Sequence, residues 1–158
     1  MGISVMLLAY KEEENLRVLC PQIIEVMNRI GEEYEINVID TKEPLDHTSD
    51  YCREIGINYY NQEEPGFGGA YRKGIEVANM DKLLALDSDG SHSPEYISAI
   101  YEKFMEGYDV VIGSRYIEGG HTEDAKISQV MSRLLNTVYR ICLGIRAKDI
   151  STNYRLYH

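Results

Sequence analysis

The stretch K-L-L-A-L-D-S-D, Lys82–Asp89, is a short apolar run that ends in two aspartates separated by one residue. Its apolar part, Leu83–Leu86, has the length and composition of a buried strand. Ligands of open parallel sheets bind beyond the carboxyl ends of the strands, which is where Asp87 and Asp89 are expected to lie. Two carboxylates there suit Mg²⁺ or Mn²⁺ carrying a phosphate ligand. A solvated turn is the alternative, because Asp, Ser and Gly are also ordinary turn residues.

Other short apolar runs alternate with helical patterns along the chain. Strands are predicted over Ile3–Ala9, Tyr34–Asp40, Ile57–Tyr60, Leu83–Leu86 and Asp109–Ile112. Helices are predicted over Asn15–Ile30, Asp46–Ile55, Gly66–Asn79 and Ser93–Glu106. Pro21 is expected to interrupt the first helix by starting a second helical piece. This alternation predicts an α/β fold in a single domain, with a mostly parallel sheet and right-handed crossovers.

The composition is that of a globular domain with a real core. The chain has 158 residues, of which 44% are hydrophobic and 27% charged, and no segment approaches the ~20 apolar residues that span a bilayer. The apolar start, Ile3–Ala9, is too short for a signal peptide. Three cysteines without metal or redox spacing favour reduced thiols and a cytoplasmic setting.

The charge is unevenly distributed. The formal net charge is −10, yet the segment Ala125–Lys148 contains five basic residues and no acidic one. An acidic body argues against nucleic acid as a partner. It would also repel a phosphorylated substrate unless a cation or a local basic segment intervened, and the sequence offers both.

The basic segment also has a helical apolar stripe, formed by Ile127, Val130, Met131, Leu134, Leu135, Val138, Ile141, Cys142 and Ile145. Arg133 and Arg140 fall outside this stripe. One interpretation is a helix that packs on the core and exposes a basic face to solvent. The other is a helix that lies near an anionic membrane surface or a lipid phosphate. Periodicity does not separate the two.

Three loops are expected to meet at the carboxyl edge of the sheet. They carry Tyr10 after the first strand, Asp40 at the end of the second, and the pair Asp87/Asp89. An aromatic ring, a separate carboxylate and a cation site together suit a nucleotide diphosphate. The glycines of Gly66–Gly69 could form a backbone nest for phosphate at a helix start, or a turn that allows close helix packing.

Several motifs occur in an order that resembles the family-two glycosyltransferases of GT-A fold, in particular the dolichol-phosphate mannosyltransferase-like branch. They are V-M-L-L-A-Y-K-E-E-E-N-L (Val5–Leu16), Asp40, G-F-G-G-A-Y-R-K-G (Gly66–Gly74), L-D-S-D-G-S-H-S-P-E (Leu86–Glu95), V-V-I-G-S-R-Y-I-E-G-G (Val110–Gly120) and D-I-S-T-N-Y-R-L-Y (Asp149–Tyr157). The resemblance covers essentially the whole chain. It implies one catalytic domain, residues 1–158, that ends before the C-terminal stretch commonly closing the donor site in this family.

The resemblance implies an enzyme that moves a hexose from a nucleotide sugar, of the GDP-mannose or UDP-glucose type, to a polyprenyl or dolichyl phosphate. Inversion at the anomeric carbon and dependence on Mg²⁺ or Mn²⁺ belong to the same expectation. The protein would then be peripheral to the cytoplasmic face of a membrane. The nucleotide sugar and the polyprenyl phosphate are the expected partners, and nothing in the sequence names the sugar or the base.

By position, the resemblance assigns roles to ten residues, Ser91 among them, and the nest interpretation adds Gly68 and Gly69. Catalysis falls to Asp87, Asp89 and Arg115, and metal binding to Asp87, Asp89 and Ser91. Substrate binding falls to Ala9, Tyr10, Glu12, Asp40, Gly68, Gly69, Ser132 and Arg155. A lipid phosphate is already an anionic nucleophile, so no general base is required, and Asp149 is read as structural.

The sequence departs from the family pattern at several points. Leu8 and Lys11 stand where proline and asparagine are usual, and Thr41 replaces an acidic residue. Asn153 stands where glycine is usual, and asparagine is able to replace glycine at a positive φ. Two other functions therefore stay open. One is a relative that binds a nucleotide sugar or a partner without turnover, and the other is a transferase acting on a hydroxyl acceptor.

Overall fold

The fold was analysed in a computed structural model, which describes residues 2–114, 126–144 and 149–158. Strands occupy Gly2–Leu8 (β1), Glu33–Asp40 (β2), Asn58–Asn61 (β3), Lys82–Asp87 (β4), Val110–Ile112 (β5) and Arg155–Tyr157 (β6). Helices occupy Glu13–Ile30 (α1), Thr48–Ile55 (α2), Phe67–Val77 (α3), Ile97–Phe104 (α4) and Lys126–Leu143 (α5). The predicted α/β architecture is confirmed.

The six strands form one sheet in the order β3-β2-β1-β4-β6-β5. Strands β1 to β4 are parallel to one another, and β6 runs antiparallel between β4 and β5. The register places Leu8 of β1 beside Asp87 of β4. The loops after these two strands therefore leave the same edge of the sheet side by side.

The core lies on both faces of the sheet. On one face, α1, α2 and α4 bury a large cluster that includes Leu16, Ile23 and Leu84. On the other, α3 packs on Met6, Ile39 and Ala85. Burial on both faces explains why the strands read as continuous apolar runs rather than as alternating ones. Cys20 and Cys52 are free and buried, and Cys142 is free and exposed.

Pro21 does not divide the first helix, contrary to the prediction. Helix α1 is continuous, with Pro21 exposed in its interior. Proline there removes one backbone hydrogen bond, at a cost of about 3 kcal/mol. Core-facing residues before and after it, Leu16 and Ile23, are fully buried, so tertiary packing holds both halves on one axis.

Helix α5 exposes the described part of the apolar stripe that its sequence contains. Among the side chains described in this helix, Leu134, Leu135 and Val138 are exposed, and Ile141 is 77% exposed. The buried one is polar: Asn136 accepts the backbone N–H of Ile150 at 2.8 Å and donates to Asp149 at 3.3 Å. The core-packing interpretation is therefore wrong for these described residues. No helix in the described ranges has the length and hydropathy needed to cross a membrane.

Candidate active site

A cavity of about 620 Å³ opens at the carboxyl edge of the sheet, in front of β1, β2 and β4. We call it the first cavity. Of the residues that the sequence assigns to the site, Ala9, Tyr10, Glu12, Asp87 and Asp89 line it. The parallel register of β1 and β4 brings these two groups together, as the position of Leu8 beside Asp87 shows.

The two aspartates of this edge differ in their surroundings. Asp89 is exposed, and its Oδ1 accepts the backbone N–H of Ser91 at 2.9 Å. Desolvation raises the pKa of Asp89, but two hydrogen bonds from Ser91, together with the nearby His92 and a backbone hydrogen bond, lower it by more, so the net shift of the pKa is downward. A carboxyl with a lowered pKa is ionised near neutral pH, which is the state that binds a cation. Ser91, the third predicted metal ligand, does not line the cavity.

Asp87 is half-buried and held from two sides. Asn153 donates to its Oδ1 at 3.1 Å, and Nε2 of His92 lies 3.6 Å from its Oδ2. The backbone N–H of Asp87 donates to Nδ1 of His92 at 3.0 Å. The sequence interpretation missed both supporting side chains, although each lies inside a motif that it quoted.

The donor set fits a hard divalent cation that also binds a phosphate ligand. In the described ranges no cluster of three or more His, Cys, Asp or Glu side chains could enclose a metal. Two carboxylates at the mouth of a cavity leave coordination positions for diphosphate oxygens and water, which is the arrangement that Mg²⁺ commonly adopts with phosphate substrates. Asp87 and Asp89 are the residues that would hold the cation.

The loop after β1 presents an aromatic ring to the cavity. Tyr10 is 63% exposed, and the backbone N–H of Ala9 is fixed by the carbonyl of Ile39 at 2.8 Å. Lys11 has φ of 60°, the one non-glycine residue with a left-handed backbone in the part of the chain that the structure describes. This conformation explains why asparagine, which tolerates it better, is usual at this position in the family that the sequence resembles.

Asp40 does not reach the first cavity. Its side chain is 1% exposed, its Oδ1 accepts the backbone N–H of Thr41 at 2.7 Å, and its Oδ2 accepts the hydroxyl of Tyr59 at 2.9 Å. Burial, together with Asp40, raises the pKa of Tyr59 to about 12. The neighbouring Thr41 lines the cavity in its place. The predicted contact of Asp40 with a nucleotide stays a prediction.

Asp46 stabilises the wall of the cavity beside Leu45. Its Oδ1 accepts the N–H of Thr48 in the first turn of α2, and its Oδ2 accepts the N–H of Glu13 in the first turn of α1, both at 3.0 Å. One carboxylate thus satisfies two helix N-termini, where negative charge is favoured. Burial raises the pKa of Asp46, but the hydrogen bonds to its carboxylate oppose this effect, and the pKa is lowered overall.

The glycines before α3 have different roles. Gly66 has φ of 86°, which a side chain would strain. A Cβ on Gly69 would overlap the backbone carbonyl of Glu64, which supports the close-packing interpretation at that residue. A Cβ on Gly68 would make only an ordinary contact with the side chain of Arg72, and Gly68 lines a second cavity.

The second cavity has a volume of about 440 Å³ and is bounded by α3 and the segment that leads into β6. Phe67, which is 62% exposed, lines both cavities, so the two are neighbours. Arg155 lines the second cavity, and its Nε donates to the carbonyl of Thr152 at 2.7 Å. The hydroxyls of Tyr71 and Tyr157 are 2.8 Å apart on its wall.

Three further assignments have mixed outcomes. Arg115 lies outside the described residues. Ser132 is half-buried on α5, and it lines neither cavity. Asp149 is fully buried and accepts hydrogen bonds from Asn136 and from Ser151, which agrees with its structural interpretation.

Gln62 and Phe67 are two of the lining residues that were not anticipated from the sequence. Gln62 follows β3 directly, and its Nε2 donates to the carbonyl of Glu64 at 2.8 Å, which shapes the loop before α3. The rule that ligands bind beyond strand ends could have found it. Phe67 is exposed at the first position of a helix, and an unburied large aromatic there was the available signal.

Comparison with known families gives a match over nearly the whole chain. The family model described as Glycosyl transferase family 2 matches residues 4–158. The dolichol-phosphate mannosyltransferase of Pyrococcus furiosus is 34% identical over 129 residues, 78% of this chain. The polyprenol monophosphomannose synthase of Mycolicibacterium smegmatis and the undecaprenyl-phosphate mannosyltransferase of Micrococcus luteus are each 30% identical, over 97% and 99% of this chain.

The chain spans only part of these relatives: 36%, 60% and 66% of their respective lengths. Solved structures agree on the fold. Glucosyl-3-phosphoglycerate synthase from Mycobacterium tuberculosis superposes with a TM-score of 0.75 at 21% identity, covering 99% of this chain and 56% of that one. A complex of that synthase with Mn²⁺, uridine diphosphate and glucosyl-3-phosphoglycerate gives a TM-score of 0.74 at 19% identity over the same shares.

Proposed function

Because the chain belongs to glycosyl transferase family 2, we propose that it transfers a hexose from a nucleotide sugar to a polyprenyl phosphate, with inversion at the anomeric carbon. One observation supports this above the others. Asp87 and Asp89 open into the same cavity as Ala9, Tyr10 and Glu12. Of the three curated relatives named above, two are named as mannosyltransferases of dolichol phosphate or undecaprenyl phosphate, and the third as a polyprenol monophosphomannose synthase.

The first cavity has the properties of a donor site. Its volume of about 620 Å³ lies within the range of small-molecule pockets, roughly 300–1,000 Å³. Tyr10 and Leu45 offer apolar surface for a base or ribose, while the carboxylates lie at the β4 end. A nucleotide with its diphosphate toward Asp87 and Asp89 would place the sugar near Phe67, where the two cavities meet.

A divalent cation at these carboxylates would neutralise the diphosphate as it leaves. Asp87 and Asp89 would hold it, and Mn²⁺ bound to the structurally similar synthase is consistent with that use. The chain's own contribution would be Asp87 at the end of β4, where Asn153 donates to it, and Asp89 in the loop that follows. Carboxylates positioned before the reaction reduce the reorganisation that accompanies the transfer.

The second cavity fits an acceptor that needs no general base. Arg72 and Arg155 line it, and no carboxylate is among its described lining residues. An acceptor hydroxyl would need a positioned base, whereas a phosphate monoester is already anionic near neutral pH. Arg155 is suited to hold such a phosphate. This favours a lipid phosphate over a hydroxyl acceptor.

Helix α5 is the proposed contact with the membrane that carries the acceptor. Its described apolar side chains are exposed, and its sequence belongs to a segment with five basic and no acidic residues. Anionic lipids attract each basic residue near the surface by about 1 kcal/mol, and the apolar side chains add burial. The body of the protein is acidic and would face away.

The membrane contact makes a testable prediction. Ile141→Asp together with Leu134→Asp should abolish sedimentation with vesicles that contain anionic lipid, because both side chains would place charge in the interface. Val18→Asp on α1 is the matched control, since Val18 is 64% exposed on another helix. Neutralising Arg133 and Arg140 should remove the salt-dependent part of binding. Unchanged sedimentation of the Ile141→Asp/Leu134→Asp variant and of the variant with neutral residues at 133 and 140 would contradict the membrane contact.

The donor site is tested by thermal unfolding with a panel of GDP- and UDP-sugars, with and without Mn²⁺. A sugar present at 100 times its Kd stabilises the folded state by about 2.7 kcal/mol, which raises Tm by roughly 5–10 °C in a domain of this size. We expect that rise for one base only, and only with Mn²⁺. No shift with any sugar would contradict the donor site.

Turnover is tested separately, by mass spectrometry of a glycosylated polyprenyl phosphate formed from the stabilising sugar. Binding without product would favour the relative that binds a nucleotide sugar without transferring it. Product formed in the presence of EDTA would contradict the use of a metal while leaving the transfer intact.

A further inference from the structure

We propose that Asn153 and His92 are positioning residues, which fix the carboxylate of Asp87 in the orientation that binds the divalent cation. The inference rests on the proposed function, because it takes Asp87 as a metal ligand. Neither residue was assigned a role from the sequence. Both act through Asp87 and neither is a ligand itself.

Asn153 acts through its side chain rather than its backbone. Asparagine was expected there as a substitute for glycine at a positive φ, but Asn153 is not among the residues with a left-handed backbone. Its backbone therefore has no need of this residue type. Its amide Nδ2 lies 3.1 Å from Oδ1 of Asp87 and donates to it. Glycine at this position could not make this hydrogen bond.

His92 supports Asp87 from the other side. The imidazole is buried, and its Nδ1 accepts the backbone N–H of Asp87 at 3.0 Å, so the ring proton lies on Nε2. Nε2 is 3.6 Å from Oδ2 of Asp87 and 3.2 Å from the hydroxyl of Thr152. The ring stacks on Tyr154 at 4.9 Å, which fixes its plane.

The two residues restrain different parts of Asp87. Asn153 holds Oδ1 of the carboxylate, and His92 holds the backbone N–H at the last residue of β4. Nε2 of His92 approaches Oδ2 at 3.6 Å, beyond hydrogen-bond distance. A carboxylate has about four lone-pair positions, so it can accept a hydrogen bond and still bind a cation. Partners of this kind orient the ligand in advance, and their loss typically weakens metal affinity by about 10–100-fold.

The restraint also connects two parts of the chain that are distant in sequence. Thr152 and Asn153 lie in the segment before β6, whereas His92 lies in the loop after β4. Thr152 contacts His92, and Asn153 contacts Asp87, so the segment before β6 closes over the carboxylate. Asn153 also lines the second cavity, which places the restraint between the two proposed substrates.

The test measures the Kd of Mn²⁺ by calorimetry in the presence of saturating GDP, and again with UDP. Asn153→Ala and His92→Phe should each weaken Mn²⁺ binding by about tenfold or more. His92→Asn should recover part of the loss, because its side-chain oxygen can take the place of Nδ1. Asn79→Ala is the matched control, since Asn79 pairs with Glu35 at the opposite edge of the sheet.

Two further readouts separate positioning from a structural role. In Asn153→Ala the affinity for the nucleotide measured in EDTA should not change, and the Tm without ligand should fall by no more than the loss of one hydrogen bond explains, because the rest of the fold is unaffected. Mn²⁺ affinity within twofold of the unmodified protein in Asn153→Ala would overturn the inference while leaving the proposed function intact. If the unmodified protein failed to bind Mn²⁺ in the presence of GDP and also in the presence of UDP, both the inference and the proposed use of a metal would be overturned.

Discussion

Replacing Asp89 by alanine is expected to weaken Mn²⁺-dependent binding of the nucleotide sugar by more than about 100-fold. The carboxylate of Asp89 is exposed, and its recorded hydrogen bonds are to Ser91, its own neighbour in the loop. Its loss should therefore leave the fold unchanged. Asp87 is a poorer test, because its carboxylate also accepts a hydrogen bond from Asn153 in the segment before β6, and alanine would remove that bond too.

The measurement is a calorimetric titration of the stabilising sugar with Mn²⁺, repeated in EDTA. Asp89→Ala should match the unmodified protein in EDTA and fall far below it with Mn²⁺. Asp50→Ala is the control, since Asp50 is exposed on α2, away from the first cavity. Equal titrations of the two variants with Mn²⁺ would remove Asp89 from the proposed cation site.

The second large effect is expected from Gly69→Ala, which should lower the free energy of unfolding by about 3 kcal/mol. The added methyl group would overlap the backbone carbonyl of Glu64, and a backbone atom cannot move aside as a flexible side chain can. The displaced loop carries Pro65 and Gly66, which line the first cavity. Donor binding should fall along with stability.

Gly68→Ala is the matched control for this substitution. A Cβ there would lie 3.7 Å from Nη1 of Arg72, an ordinary contact. Because alanine favours a helix over glycine by up to about 1 kcal/mol, Gly68→Ala should be neutral or stabilising. Urea denaturation of the two variants decides the point. Equal stability of Gly69→Ala and Gly68→Ala would show that the loop can yield, and that the close packing at Gly69 is unimportant.

The sequence predicted the strands and helices before β5 well, because buried parallel strands read as short apolar runs and helices as periodic ones. It placed Asp87 and Asp89 at the sheet edge for the same reason. It did not predict β6, whose three residues, Arg155–Tyr157, are too few for a pattern. The direction of so short a strand is set by its neighbours and cannot be read from its own residues.

The site was predicted less completely than the fold. Position beyond a strand end was sufficient to find Tyr10 and Asp89, but it could not show that the side chain of Asp40 turns inward to Tyr59. Nor could it show that Asn153 meets Asp87, since the two are 66 residues apart. Contacts of this kind depend on tertiary structure. Continuity of α1 through Pro21 is a further case in which packing outweighed a local preference.

The position of β6 between β4 and β5 has a consequence for synthesis of the protein. A nascent chain that has reached only residue 114 holds β4 as an open edge. In the described sheet β5 pairs with β6 and not with β4, so β5 cannot join the sheet before β6 is present. Unpaired edges invite wrong partners. The edge of β4 therefore stays unpaired until residues 149–158 are synthesised, and the same segment then brings Asn153 to Asp87.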